Sequence, residues 1–308
     1  MGVSPAGNRL PNGDAMALTT RQLEGRGVIV TGASRGLGKA IARACLRHGA
    51  HVYVCARDKV AIDAAYAELV EEADEARIFA MQADVSNPES VTALIEAASQ
   101  DLPDLLGIVN NAGILGPMGT LEEIDWAHWL RTIEVNLLGT ALCCRAIIPI
   151  LRRANYGKIV NLSGGGATAP MPRMSAYAAS KAAVVRFTET LAMEYVDHHI
   201  DVNALAPGAL NTRMLAEVLE AGSEKVGQAY YDRSVRQREQ GGASLARAAD
   251  LCVFLLSKQS DGITGKLISA AWDPWESLPQ RRDQLQQTDI YALRRIVPKD
   301  RGVDWDQP

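Results

Sequence analysis

Residues 27–48 read Gly-Val-Ile-Val-Thr-Gly-Ala-Ser-Arg-Gly-Leu-Gly-Lys-Ala-Ile-Ala-Arg-Ala-Cys-Leu-Arg-His. The stretch opens on a short apolar, β-branched run, Gly27 to Thr31, which predicts a buried strand. It closes on apolar residues spaced for one face of a helix, Leu37 to His48. Between them lie Gly32, Gly36 and Gly38, spaced G-x-x-x-G-x-G. Glycines there permit a tight turn, close backbone approach to a pyrophosphate and close helix–sheet packing. The helix then aims its free amides at negative charge. A strand, a glycine turn and a helix in that order mark a nucleotide-binding βα unit.

The same rhythm continues along the chain. Strands are predicted at His51–Cys55, Ile78–Gln82, Leu106–Asn110, Lys158–Leu162, Asp201–Ala206 and Gly265–Ser269. Helices are predicted at Val60–Glu75, Glu89–Gln100, Trp126–Leu151 and Ser175–Val196, with Pro149 as the place for a kink in the third of these. Strands alternating with helices imply an α/β fold: a single Rossmann-type, doubly wound parallel sheet with helices on both faces. Residues 1–20 read as a flexible lead-in, 21–271 as the NAD(P)-binding catalytic domain and 272–308 as a C-terminal extension.

Bulk properties exclude several function classes. The 308 residues carry a net charge of −4, which offers no electrostatic reason for nucleic acid or an anionic membrane as partner. The five cysteines form no C-x-x-C pair, and no Cys/His cluster has zinc spacing, so no metal site is expected. Met1 to Thr20 lacks the apolar core of a secretory signal, and no apolar stretch of about 20 residues is expected to span a bilayer. The expected location is the cytoplasm.

Five motifs in order carry a family resemblance. They are Thr31-Gly-Ala-Ser-Arg-Gly-Leu-Gly38, Asp84-Val85, Asn110-Asn-Ala-Gly113, Tyr177-x-x-x-Lys181, and Pro207-Gly208 with Thr212. Together they resemble the short-chain dehydrogenase/reductase family over about residues 22–270. The resemblance implies an oxidoreductase that exchanges a carbonyl and an alcohol by hydride transfer. It implies cofactor contacts from Gly32, Ser34, Arg35, Gly36, Leu37, Gly38, Asp84, Val85, Asn110, Ala112, Gly113, Tyr177, Lys181, Pro207, Gly208 and Thr212. Asp84 and Val85 would border the adenine, Asn110 would help hold the Gly113 loop, and Thr212 would meet the nicotinamide carboxamide or the pyrophosphate.

The end of the second strand reports on the cofactor. An acidic side chain there would accept from a ribose 2′-OH. This chain has Ala56 followed by Arg57, and Arg35 lies in the glycine turn. Two guanidinium groups suit a 2′-phosphate, so NADP(H) is preferred, with NAD(H) the alternative if Asp58 takes the ribose.

Tyr177 and Lys181 share a helical face. A free tyrosine has a pKa near 10, and a neighbouring ammonium favours its phenolate, which suits a general acid/base. By resemblance, Asn136 supports the proton path through water and Lys181. The family's serine stands thirteen residues before the tyrosine, and that count lands on Gly164. Ser163, one residue earlier, is assigned as the hydroxyl that bonds the substrate oxygen, the loop before Tyr177 being one residue longer. If Gly164 holds the place, another donor such as a backbone amide or Ser175 is needed.

Residues 213–243 follow a strand's carboxyl end and are read as a substrate lid. They offer Arg213, Met214, Tyr230, Tyr231 and Arg233, a mixed polar and aromatic set unlike a purely apolar steroid pocket. The extension is read as packing on its own domain or on a neighbouring subunit; the sharper reading puts Arg294 and Arg295 on an anionic substrate. The expected partners are a small-molecule carbonyl or alcohol and further copies of the chain, as a homodimer or homotetramer through the Trp126–Leu151 and Ser175–Val196 helices. Two other functions stay open: a non-catalytic NADP-binding sensor or scaffold, and a dehydratase or epimerase on the same scaffold.

Overall fold

The computed structural model describes residues 21–305. The lead-in read at 1–20 and the last three residues of the extension lie outside the described residues. Seven parallel strands form one sheet in the order β3-β2-β1-β4-β5-β6-β7. They are β1 (Gly27–Thr31), β2 (His51–Ala56), β3 (Ile78–Gln82), β4 (Leu105–Asn110), β5 (Gly157–Leu162), β6 (Ile200–Ala206) and β7 (Leu267–Ser269). The order reverses between β1 and β4, which opens a crevice at the carboxyl ends of the strands.

Every residue of β1 is buried, as a strand covered on both faces requires. Its side chains alternate: Val28 and Val30 join one core, Ile29 the other. The first core holds α1 (Gly36–Arg47) against the later helix Leu245–Leu256. The second holds the helices Pro88–Asp101 and Gly139–Ala154.

In chain order the remaining helices are α2 (Lys59–Glu72), α3 (Pro88–Asp101), α4 (Trp126–Ile133), α5 (Gly139–Ala154), α6 (Ser175–Glu194), α7 (Arg213–Val226), α8 (Gln228–Gln240), α9 (Leu245–Leu256) and α10 (Arg282–Gln287). α9 has no counterpart in the sequence reading. Eight of its residues, from Ala248 to Leu256, are buried, so no polar face marks its period.

α4 and α5 form one rod, and the irregularity falls at a π-helical segment, Glu134–Leu138, while Pro149 sits inside α5. The whole rod, Trp126–Ala154, is long and apolar enough to cross a bilayer by length and composition, which the sequence reading did not anticipate. Its Cys143, Cys144, Ile147, Ile148 and Leu151 are nevertheless packed in the core against the sheet. β7 begins two residues later than expected, because Gly265 takes a left-handed φ of 69°.

A buried charge cluster closes the amino ends of β5 and β6. Lys158 Nζ lies 2.6 Å from Asp201 Oδ2 and 2.7 Å from Asp261 Oδ1, with its side chain 0% exposed. Tyr156 donates its hydroxyl to the same Asp261 oxygen at 2.8 Å.

The extension packs on its own domain. The Leu267 amide of β7 donates to the Tyr291 carbonyl at 2.8 Å, and Lys266 donates to the Thr288 carbonyl. From α6, Arg186 donates to the Leu293 carbonyl and Glu189 accepts from the Leu293 amide at 2.6 Å.

Candidate active site

The glycine turn is built from two sides. Gly32 and Gly36 have φ of 64° and 56°, a region where glycine is the natural choice. A Cβ on Gly32 would stand 2.8 Å from Ala112 Cα, so the turn abuts the loop after β4. Thr31 Oγ1 accepts from the amides of Asn111 and Ala112, each at 3.1 Å. Asn111 Nδ2 returns bonds to the carbonyls of Thr31 (2.8 Å) and Gly32 (3.1 Å).

The sequence reading gave the loop-holding role to Asn110. Asn110 instead turns into the sheet, donating to Asn161 Oδ1 at 2.8 Å and to Cys144 Sγ at 3.3 Å. Strand alternation is the reason: Asn110 ends β4 facing the second core, and Asn111 is the first residue free to point back.

The turn fits a pyrophosphate. α1 has no side-chain cap at Arg35, so its first amides are left for an incoming anion. A Cβ on Gly36 would meet only the Thr212 methyl, 3.8 Å away, which puts Thr212 across the turn at the start of α7. Gly208, at φ 86°, turns the chain after Pro207 against Ala243 and Ala271. Ser34 is half-buried in the turn, and Leu37 and Gly38 are buried under it.

At the adenosine end, Ala56 closes β2 and Arg57 is exposed beyond it. Among the described residues neither Arg35 nor Arg57 has a carboxylate partner, whereas Asp58 caps α2 by accepting from the Ala61 amide at 3.1 Å. Asp84 is engaged as well. Ser86 donates to its Oδ1 at 2.6 Å, and Arg131 of α4 reaches Oδ2 at 2.8 Å. Partial burial works against that carboxylate, but these bonds outweigh it and hold Asp84 below the usual carboxylate range. Val85 is buried against the backbone of Gly139. Arg131 carried no signal in the sequence beyond being a helical arginine.

The candidate reacting groups sit on α6 and the π segment. Tyr177 and Lys181 are both buried, with Lys181 Nζ 5.8 Å from the Tyr177 ring centroid. Lys181 donates to the Leu162 carbonyl at 2.8 Å. Asn136 accepts from the Ile114 amide (2.8 Å) and donates to the Ile114 carbonyl (2.9 Å) and to Ser180 Oγ (3.0 Å). A Cβ on Gly113 would stand 3.2 Å from Asn136 Oδ1 and 3.6 Å from Lys181 Nζ, so three of the expected site residues meet at one point.

The electrostatics differ from the sequence expectation. Burial pushes the Tyr177 phenol up to about 12, with Tyr230 adding to the effect, and brings the Lys181 ammonium down to about 8. In this closed arrangement desolvation dominates, and the ammonium one turn away does not lower the phenol.

Ser163 is also not where the sequence reading put it. Its Oγ is buried and makes no hydrogen bond, to Tyr177 or to any other described group. Position 164 is the one that faces the phenol: a Cβ on Gly164 would collide with the Tyr177 hydroxyl. Adjacent residues leaving a strand point to opposite faces, so only one of the two can face the site. The count of thirteen lands on the position that faces the phenol. Ser175, the other donor considered, accepts from Trp129 Nε1 at 3.1 Å.

Above Tyr177 the lid is apolar on its inner side. Leu115, Met174 and Tyr177 cluster with Val218 and Val226 of α7, and Met118, Met171 and Tyr230 pack against them. The polar residues of 213–243 point elsewhere: Arg213 pairs with Glu217 at 3.1 Å, and exposed Arg233 lies 5.1 Å from the Tyr230 ring. A cleft of about 410 Å³ runs beside the lid, lined by Asn211, Thr212, Leu215, Tyr231 and Arg238 among others. Arg294 of the extension pairs with Asp289 (2.5 Å) and Asp300 (2.6 Å), so it is not free for an anionic substrate. The described residues hold no cluster of three metal-ligating side chains.

Comparison with known proteins agrees with this geometry. The family model described as short chain dehydrogenase matches residues 26–222. The chain is 39% identical to 3β-hydroxysteroid dehydrogenase 1 of Eggerthella lenta over 245 residues, 79% of this chain and 91% of that one. Among solved structures it resembles levodione reductase, with a TM-score of 0.74 at 27% identity over 83% of this chain and 99% of that one. It also resembles actinorhodin polyketide ketoreductase solved with NADPH, with a TM-score of 0.73 at 28% identity over 81% and 96%.

Proposed function

The chain belongs to the short-chain dehydrogenase/reductase family, and on that premise we propose that this oxidoreductase interconverts an apolar ring ketone and its secondary alcohol with NADP(H), Tyr177 moving the proton. The observation that carries the reading is the buried Tyr177–Lys181 pair beneath an apolar lid, beside an uncapped helix α1 at a glycine turn. When bound, the nicotinamide supplies or accepts the hydride at the reacting carbon. Tyr177 gives its proton to the carbonyl oxygen in reduction and takes it back in oxidation. Lys181 lies beneath the phenol, its Nζ 5.8 Å from the ring centroid and donating to the Leu162 carbonyl. Asn136 holds the Ile114 backbone, and with it the Gly113 loop, against the lysine.

The substrate class follows from the lid. Leu115, Met118, Met171, Met174, Val218 and Val226 present hydrocarbon and thioether, and methionines adapt to varied apolar shapes. The relative that acts on a hydroxysteroid is consistent with such a guest. Preference for NADP(H) is supported by the free guanidinium groups of Arg35 and Arg57 and by Asp58 being used as a helix cap. A homo-oligomer is the proposed assembly, because Leu130, Leu138, Met193 and Val196 are exposed on the α4–α5 rod and on and just past α6.

The decisive experiment compares wild type with Tyr177→Phe on ring ketones. Loss of turnover with unchanged NADPH affinity supports the reading. Retained turnover overturns it. One observation favours the second reading, a cofactor-binding scaffold: Gly164 brings no hydroxyl to the phenol. That reading is kept if wild type binds NADPH and turns over no carbonyl or alcohol.

A further inference from the structure

Carbonyl reduction places growing negative charge on the substrate oxygen, and a second donor beside the proton-giving phenol stabilises it. Around the Tyr177 phenol, position 164 brings no such side-chain donor. Gly164 faces the Tyr177 hydroxyl and has no side chain. The Ser163 hydroxyl is enclosed and has no hydrogen-bond partner among the described residues. Ser175 is held by the Trp129 indole at 3.1 Å, and it lies two residues before Tyr177, on another side of α6. The Asn136 amide spends its hydrogens on the Ile114 carbonyl and Ser180. Lys181 donates to the Leu162 carbonyl.

A further hydroxyl belongs to the lid segment. Tyr230 stands in the first turn of α8 and packs into the cluster that contains Tyr177. It is half-buried, and its hydroxyl has no hydrogen-bond partner among the described residues. Tyr230 adds to the upward push that burial exerts on the Tyr177 phenol. The exposed Arg233 guanidinium rests 5.1 Å from the Tyr230 ring, and Ser234 bonds its backbone carbonyl, so the side chain is steadied from behind.

We propose that Tyr230 of the lid is a catalytic residue that donates its hydroxyl hydrogen bond to the substrate oxygen, in the role a serine at position 164 would have filled. The proposal rests on the ketone/alcohol reading given above. In reduction, hydride adds to the carbonyl carbon, the C=O π pair moves to oxygen, and Tyr177 loses its proton to that oxygen. Tyr230 keeps its own proton and shares it as a hydrogen bond throughout. The second donor therefore arrives with the lid, and the oxygen site is complete only when α8 lies over α6. Ketones that hold the lid open would bind without reacting.

The test uses the full chain with cyclohexanone and a 3-ketosteroid as probes, each with NADPH and with NADH. Tyr230→Phe removes one oxygen and keeps the apolar ring. Its kcat is expected to fall about 30-fold or more, the scale of losing one oxyanion donor, with KM and NADPH affinity within about threefold. Retention of kcat within about twofold in Tyr230→Phe overturns the proposal while leaving the reaction assignment standing, provided Tyr177→Phe is inactive. Equal losses in kcat and NADPH affinity would assign Tyr230 to lid packing and also overturn it. If wild type turns over neither probe with either cofactor, the reaction assignment falls and the proposal falls with it.

Discussion

Asn136 and Ile114 exchange two hydrogen bonds, side-chain oxygen to amide at 2.8 Å and side-chain nitrogen to carbonyl at 2.9 Å. A polar residue at the centre of an apolar helix thus serves as a clasp, fastening the π segment to the loop that follows β4. Asn136 stands at the centre of the π segment Glu134–Leu138, and Thr140 donates its hydroxyl to the Asn136 carbonyl at 2.8 Å.

Asn136→Ala is expected to cost about 2–4 kcal/mol, because it leaves a buried donor and a buried acceptor unpaired. Denaturant unfolding reads that loss. Turnover should fall further than stability explains, since the Gly113 loop and Lys181 share the same contact point. A variant that loses stability yet keeps full turnover would separate the clasp from the reaction.

Arg57→Ala should lower NADPH affinity about tenfold or more and leave NADH affinity within about twofold, as expected for a guanidinium that meets only a 2′-phosphate. Titration calorimetry with both cofactors measures this. The double variant with Arg35→Ala should remove the remaining preference. Asp58→Ala should change stability by about 1 kcal/mol through the α2 cap and leave cofactor choice unchanged.

Lys181 gives a stability change with a definite sign. Burial takes its ammonium from 10.5 to about 8. Between those values the folded chain binds fewer protons than the unfolded one, so its stability rises with pH. Relative to Lys181→Met, wild type should gain up to roughly 3 kcal/mol as pH climbs from about 7 to about 10. Above that range the raised Tyr177 phenol favours the folded chain less as unfolded tyrosine ionises. Paired denaturation curves across the range test this, and a flat difference would contradict the buried ammonium.

At the far end of the sheet, Lys158→Met should destabilise by about 3–5 kcal/mol, because Asp201 and Asp261 would be left without their shared cation. Burial already pushes the Asp201 carboxyl up even with Lys158 beside it. The cluster lies at the amino ends of β5 and β6, and the phenol and the glycine turn lie at the carboxyl ends. The folded variant should therefore keep its kcat.

The fold was legible because its signals are local. Six of the seven strands began within one residue of their predicted start, since β-branched runs between turns declare themselves without tertiary information. α9 was missed because burial on all sides erases the polar face that makes a helix readable. The site divided along similar lines. The glycine turn, Tyr177 and Lys181 are spaced by backbone geometry alone. Ser163 against Gly164, and Asn110 against Asn111, turn on which way a side chain points as a strand ends. That direction depends on the loop's path and not on residue type. In the 213–243 segment, Arg213 pairs with Glu217 and Arg233 lies over the Tyr230 ring, partners that composition alone does not reveal.

The Tyr291 carbonyl on the Leu267 amide has a consequence outside catalysis. β7 is the last strand of an otherwise continuous sheet, and a bare edge is a template on which a stranger's backbone can add. With Tyr291 and Leu293 laid along that margin and clamped by α6, the template is withdrawn. The extension then stands as a shield on that margin, on a different border of the sheet from the carboxyl ends where the candidate site lies.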